Sequence, residues 1–217
     1  MASEASARAE ILRRVRAANG GTATGEAAAA AWEGIARGYR RSADRDREAV
    51  LELLEDRLRD YDANTSRSTW AGLGEAIAVR VAERGEPRMI VPPGFPMELL
   101  LRPEAFAVDE GFGAGQLDGF GGVLTMAALA IAETGTLVLQ NVPGQGRRAA
   151  TLVPDYHLCV VHVDDVVQSV PEGMERLART STLPTTFVSG PSATADIEMT
   201  RIKGVHGPRF LDVILYS

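Results

Sequence analysis

Two runs of the chain are apolar at almost every position: TLVLQ (Thr136–Gln140) and HLCVVHV (residues 157–163). A strand with one wet face alternates apolar and polar residues, so an unbroken run predicts burial on both faces. A sheet buried twice needs a covering layer on each side. The reading is therefore an α/β fold in which both runs are central parallel strands.

The remaining periodicities fit that class. Ile11, Leu12 and Val15 share one face of a predicted helix over residues 3–18, which Asn19, Gly20 and Gly21 stop. Residues 25–39 are alanine-rich and predict a second helix. The arginine-rich stretch 37–47 interleaves with acids and reads as a solvated face. Val50, Leu51, Leu54 and Leu58 form a firmer stripe over 46–61. Thr69 is placed to cap a helix carrying Trp70, Leu73, Ile77 and Val81. Extended segments are expected over 61–66, 88–93, 106–108, 122–125 and 185–189, with a short helix over 96–101 and another over 171–180. MAALAIAE (126–133) reads as a helix ending at Glu133. The last strand, 208–216, is expected to bend near Asp212. The domain reading is a helical extension over 1–45 and an α/β domain over 46–217.

A net charge of −6 lacks the basic footprint that non-specific nucleic-acid binding needs. The single Cys159 excludes an intrachain disulfide and a self-contained cysteine-ligated cluster, and its apolar surroundings predict a small buried side chain. Three histidines without regularly spaced acids form no metal-site signature. No run of about 18 apolar residues predicts a membrane span. The first residues carry acids and arginines where a secretion signal needs an apolar core, which makes cytoplasmic the default.

The polar candidates cluster around the apolar strands. Glu133 is placed to act as general base or as an acyl-transfer nucleophile, and Thr134, Gly135 and Thr136 to orient a carbonyl or phosphate. Arg147 and Arg148 follow two glycines, and their planar forks suit a carboxylate or phosphate. His157 sits at the mouth of its strand. Gly190, Ser192 and Thr194 supply small side chains and backbone donors for an anion, and Ser192 or Thr194 could cap a short helix near Ala195. Asp196 orders that loop or holds a substrate hydroxyl, and His206 is the best-placed acid–base histidine. Glycines between 111 and 122 make a ligand-lining loop or a phosphate cradle, without a dinucleotide or P-loop motif. The sharpest expectation is that Glu133 faces His206 across a pocket where strand ends meet at one sheet edge.

AETGTLVL (132–139), LVPDYHLCVV (152–161), SGPSATADIE (189–198) and GVHGP (204–208), in this order, resemble the LUD domain of the lactate utilization protein C family. The resemblance spans about residues 45–217. Its motifs fall on Glu133, Thr134, Gly135, Thr136, Pro154, His157, Gly190, Ser192, Thr194, Asp196, Gly204, His206 and Gly207. It implies a three-layer α/β/α sheet like the NagB/RpiA/CoA-transferase group. It also implies a part in L-lactate oxidation to pyruvate beside two iron–sulfur partner subunits, with the clusters in the partners and no cofactor in this chain. Three function classes follow. One is a lactate-oxidation subunit that binds a small carboxylate or a partner. Another is a stand-alone enzyme of the CoA-transferase or sugar-phosphate-isomerase kind. The last is a non-catalytic assembly or regulatory subunit. Homo-oligomers are compatible with all three.

Overall fold

The computed structural model describes residues 4–20, 25–42, 44–85, 87–194, 202–203 and 207–217. The chain divides into two compact units, Met1–Arg40 and Arg41–Ser217. The first contains α1 (Glu4–Ala18) and α2 (Gly25–Glu33). None of its described side chains is buried. Arg13 and Arg14 pair with Glu10 one turn back along α1. The second helix stops at Glu33, earlier than its alanines suggest, because Gly34 follows and Arg37 folds back over the Trp32 ring at 4.8 Å. No helix among the described residues is long and apolar enough to cross a membrane.

The second unit starts with α3 (Arg47–Asp60), which Asp46 caps by accepting from the Ala49 N–H at 2.9 Å. Its stripe Val50, Leu51, Leu54 and Leu58 is buried. Burying each of its leucines contributes about 1.5–3 kcal/mol. Next come β1 (Asn64–Ser68), α4 (Leu73–Glu83), β2 (Met89–Val91), β3 (Phe106–Val108), the one-turn α5 (Ala114–Leu117) and β4 (Gly122–Met126). Thr69 does not cap α4 directly. Its Oγ1 accepts from the Gly72 N–H at 3.3 Å and holds the turn that leads into the helix.

The segment 126–133, read as a helix, is instead the end of β4 followed by β5 (Leu129–Ile131) and a 3-10 turn over Ala132–Thr134. Gly135, in the left-handed region at φ 57°, turns the chain into β6 (Thr136–Gln140), which pairs antiparallel with β5. Alanine-rich local propensity loses here because so short a helix is marginal alone. The hairpin also buries Leu129, Ile131 and Val138 against Val167 and Leu177.

The chain continues through β7 (Tyr156–His162), β8 (Val166–Val167), α6 (Val170–Ala178), β9 (Thr185–Val188), β10 (Ala193–Thr194), β11 (Ile202–Lys203) and β12 (Phe210–Tyr216). A six-stranded, wholly parallel sheet has the order β1-β12-β7-β4-β2-β3. A four-stranded mixed sheet has the order β8-β5-β6-β9, and β10 pairs antiparallel with β11. One face of the large sheet, carrying Cys159, Val161, Leu211, Val213 and Leu215, packs on α3 and on Leu137 and Leu139 of the small sheet. The other face, with Leu124, Leu158, Val160 and Ile214, packs on Leu73, Ile77 and Val81 of α4. The result is a mostly parallel central sheet flanked by helices.

The expectation for HLCVVHV holds: β7 is central and parallel. That for TLVLQ is corrected. β6 is antiparallel to both neighbours and lies in the small sheet. Its unbroken apolarity has the expected cause, since Leu137 and Leu139 face the large sheet while Val138 faces the α6 side. Two-sided burial does not specify strand direction. β12 also runs without a break at Asp212, whose carboxylate is satisfied inside the fold by Asn64, Arg84 and Tyr156.

Candidate functional site

A cavity of about 220 Å³ lies between the large sheet and the loop after β9. Arg148 and Thr151 form one wall, and Ser189, Gly190 and Ser192 another. His157 and Leu211, near the amino-terminal ends of β7 and β12, also line it. The loop from β6 to β7 carries Ala150 against Ile90 and Val123 before β7 begins.

The walls are tied together. Gly190, at φ 86°, lies so close to Tyr61 that a Cβ there would sit 2.5 Å from the Tyr61 Cβ. The Ser192 N–H donates to the Pro208 carbonyl at 2.8 Å. Arg209 grips Asp155 with two bonds of 2.7 and 2.6 Å, joining the start of β12 to the start of β7. The Thr136 hydroxyl lies 2.7 Å from the Ser189 hydroxyl and 2.7 Å from that of Thr134. The TGT turn thus does meet the serine loop, as a hydroxyl chain behind the wall. Thr136→Val is expected to leave the fold intact and loosen Ser189. Faster amide hydrogen exchange over 188–190 would register that change.

The two arginines separate sharply. Arg147 donates to Asp109 through Nε at 2.7 Å and Nη2 at 2.9 Å, and its Nη2 also donates to the Phe112 carbonyl. Burial opposes ionisation of Asp109. Arg147 and the N–H groups of Gly111 and Phe112 outweigh it and hold the carboxyl below its usual range. These N–H groups of the glycine-rich loop therefore serve Asp109. Arg147 borders a different cavity with Asn141 and Pro143. Arg148 makes only two long bonds, at 3.4 Å, from Nη1 to the Thr151 carbonyl and hydroxyl, and no carboxylate pairs with it among the described residues.

Glu133 is not among the cavity-lining residues. It accepts from the Gln168 side chain at 3.2 Å, and the same amide reaches Asp44 at 3.2 Å. Gln168 Oε1 accepts from the Arg45 N–H at 3.2 Å. Glu133 thus belongs to a polar hub that holds the segment leading into α3. Asp196, Gly204 and His206 lie outside the described residues, and so does the facing of Glu133 and His206. Thr194 is in β10, and the short helix expected near Ala195, with its cap, lies outside the described residues.

His157 is 1% exposed, and its Nε2 lies 2.8 Å from the Thr125 hydroxyl. Burial first, and then the charge of Arg148, push its pKa down to about 4. The imidazole is therefore neutral near pH 7. The folded value lies below the ordinary one of about 6.5, so this stabilisation is complete above that pH and fades as pH falls towards 4. The loss is about 3 kcal/mol, spread between about pH 6.5 and pH 4. Urea unfolding at steps across this range should show it, with a flatter profile for His157→Gln. Cys159 is buried and its thiol is pushed up to about 12, as an inert core side chain. Thr125 and Thr151 escaped the sequence reading because each is a single threonine among apolar or loop residues, with no motif around it.

The whole cavity falls within the stretch that matches the family model for the LUD domain, residues 120–216. A Deinococcus radiodurans protein, "Lactate utilization protein C", is 42% identical over 172 residues, covering 78% of this chain and 80% of its own length. The chain belongs to the lactate utilization protein C family. A family member from Halalkalibacterium halodurans is 37% identical over 91 residues, 39% of each chain. A crystal structure of a DUF162 family protein from Deinococcus radiodurans superposes with a TM-score of 0.71 at 39% identity, covering 80% of this chain and 100% of that one.

Proposed function

We propose that this protein takes part in lactate utilization as the subunit that binds the small carboxylate in L-lactate oxidation, acting with iron–sulfur partner subunits. The observation that carries this reading is Arg148, a guanidinium without a carboxylate partner among the described residues, in a small cavity walled by serine and threonine hydroxyls. The names of the relatives place their activity in lactate utilization. Pockets that bury drug-sized ligands run from about 300 to 1,000 Å³, so the cavity suits a three-carbon acid better than a nucleotide or a CoA ester.

Oxidising lactate to pyruvate removes two electrons and two protons. A chain with one buried cysteine has no cysteine set for a cluster of its own. In this reading the electrons pass to clusters in the partners, while this chain binds and orients the acid. A CoA-transferase reading needs Glu133 as a nucleophile facing the substrate, and the Gln168 hub turns that carboxylate elsewhere.

Calorimetric titration of the full chain with sodium L-lactate tests the proposal. Arg148→Met should weaken binding by about 10- to 100-fold, the worth of a charge-assisted hydrogen bond. Arg147→Met should leave the affinity nearly unchanged. An Arg148→Met protein that binds as tightly as the parent would refute the assignment. So would robust lactate oxidation by the isolated chain with an artificial electron acceptor, as far as the partner requirement is concerned.

A further inference from the structure

We propose that a second ligand site, separate from the Arg148 cavity, lies at the carboxyl ends of β2 and β3 and takes a small neutral molecule with an apolar body and an amide edge. It does not depend on the lactate reading.

Topology puts a crevice there. The chain leaves β2 for β3 on one side, and after β4 it next enters the large sheet as β7, on the opposite side. Where neighbouring parallel strands send their connections opposite ways, their carboxyl ends leave room for a ligand. The loop from β6 to β7 builds one wall of that crevice. The Gly144 N–H donates to the Pro93 carbonyl at 2.9 Å, and the Met126 N–H donates to the Gly144 carbonyl at 2.8 Å, so Gly144 bridges the segments that follow β2 and end β4. Gly94, at φ 78°, packs so closely on this loop that a Cβ there would sit 2.6 Å from the Pro143 Cβ. Beside these contacts lies a cavity of about 280 Å³.

The walls set the chemistry of the ligand. Pro93, Val142 and Pro143 give an apolar lining. Asp109, directly after β3, borders the cavity with Arg147, and the two form a bidentate ion pair. Together they are neutral. An anion would meet the carboxylate at close quarters and a cation would meet the guanidinium, and like-charge contacts of this kind are costly. The N–H groups of Gly111 and Phe112, which suit an anion, already donate to Asp109 Oδ1 at 3.0 and 3.1 Å. A neutral amide brings neither conflict. Its oxygen can accept from a guanidinium, and its N–H can donate to a carboxylate. Asn141 borders the same cavity, and its side-chain amide can do both. The volume lies just under the roughly 300–1,000 Å³ of pockets that bury drug-sized ligands, which suits a molecule with a single ring.

Three compounds of nearly one shape and different charge test the proposal. Benzamide, benzoate and benzamidine are titrated calorimetrically into the full chain at neutral pH. Benzamide is expected to bind, and each ion to bind at least about 10-fold more weakly. Asn141→Ala should weaken benzamide by about 3- to 10-fold, the worth of one neutral hydrogen bond. Arg148→Met should leave benzamide binding unchanged. Failure of benzamide to bind, or benzoate binding as tightly, overturns the proposal. Displacement of benzamide by L-lactate, with loss of both in Arg148→Met, would also overturn it, while leaving the carboxylate site standing.

Discussion

Replacing Asp212 by alanine is expected to destabilise the protein by about 3–5 kcal/mol, the cost of removing one partner from a buried charge pair. Asp212 is 1% exposed in the middle of an apolar strand, β12. It accepts from Arg84 Nη2 at 2.8 Å, Asn64 Nδ2 at 2.9 Å and the Tyr156 hydroxyl at 2.9 Å. Arg84 also lies over the Phe210 ring at 4.5 Å. Burial, and then the charge of Asp212, push the Tyr156 phenol well above its usual range, so it stays a neutral donor. With the carboxylate gone, three donors lose their acceptor at once. The ion pair's net worth against an apolar substitute is small, but the cost of breaking it from one side is large. In a domain of this size the expected fall in Tm is on the order of 10 °C. Tyr156→Phe removes one bond of the three and should cost about 1 kcal/mol. Thermal unfolding of the two variants beside the parent checks both figures. An Asp212→Ala protein with an unchanged Tm would show that the network contributes nothing.

Gly190→Ala is expected to act on stability and on the site together. At φ 86° an alanine carries a left-handed penalty of about 1–2 kcal/mol. Its Cβ would also lie 2.5 Å from the Tyr61 Cβ, at the end of α3, where backbone must move because no flexible side-chain tip is involved. Overpacking of this kind adds about 1–3 kcal/mol. The expected total is about 2–5 kcal/mol. The loop would relax away from Tyr61, carrying Ser189 and Ser192 with it, so L-lactate affinity should fall by an order of magnitude or more in protein that is still folded. Gly34→Ala, in the separate N-terminal unit, serves as the control and should leave both stability and binding unchanged. Tight lactate binding by folded Gly190→Ala protein would mean that the loop is not a working wall.

The resemblance to the LUD domain was readable from four motifs, and the matched relatives support it over most of the chain. Which residues line the candidate cavity was readable in part. The polar loop with Gly190 and Ser192, His157 and Arg148 line one cavity, and Thr136 touches it through Ser189. Glu133 and Arg147 were chosen on residue type and neighbourhood, and both are committed elsewhere. Their partners, Gln168 and Asp109, are 35 and 38 residues away in sequence, and nothing local announces them.

By itself the sequence determined what depends on near neighbours. This covers the stripe and cap of α3, the left-handed turn at Gly135, and the two-sided burial of β6 and β7. It also covers the reading of Cys159 as an inert core side chain. Tertiary structure alone decided what depends on distant ones. It set β6 antiparallel in a second sheet, since burial on both faces is the same for either strand direction. It made Asp212 a satisfied buried acid rather than a bend, through donors 148, 128 and 56 residues away. And it divided two adjacent arginines of identical chemistry, because the fork of Arg147 holds Asp109, while no carboxylate among the described residues holds that of Arg148.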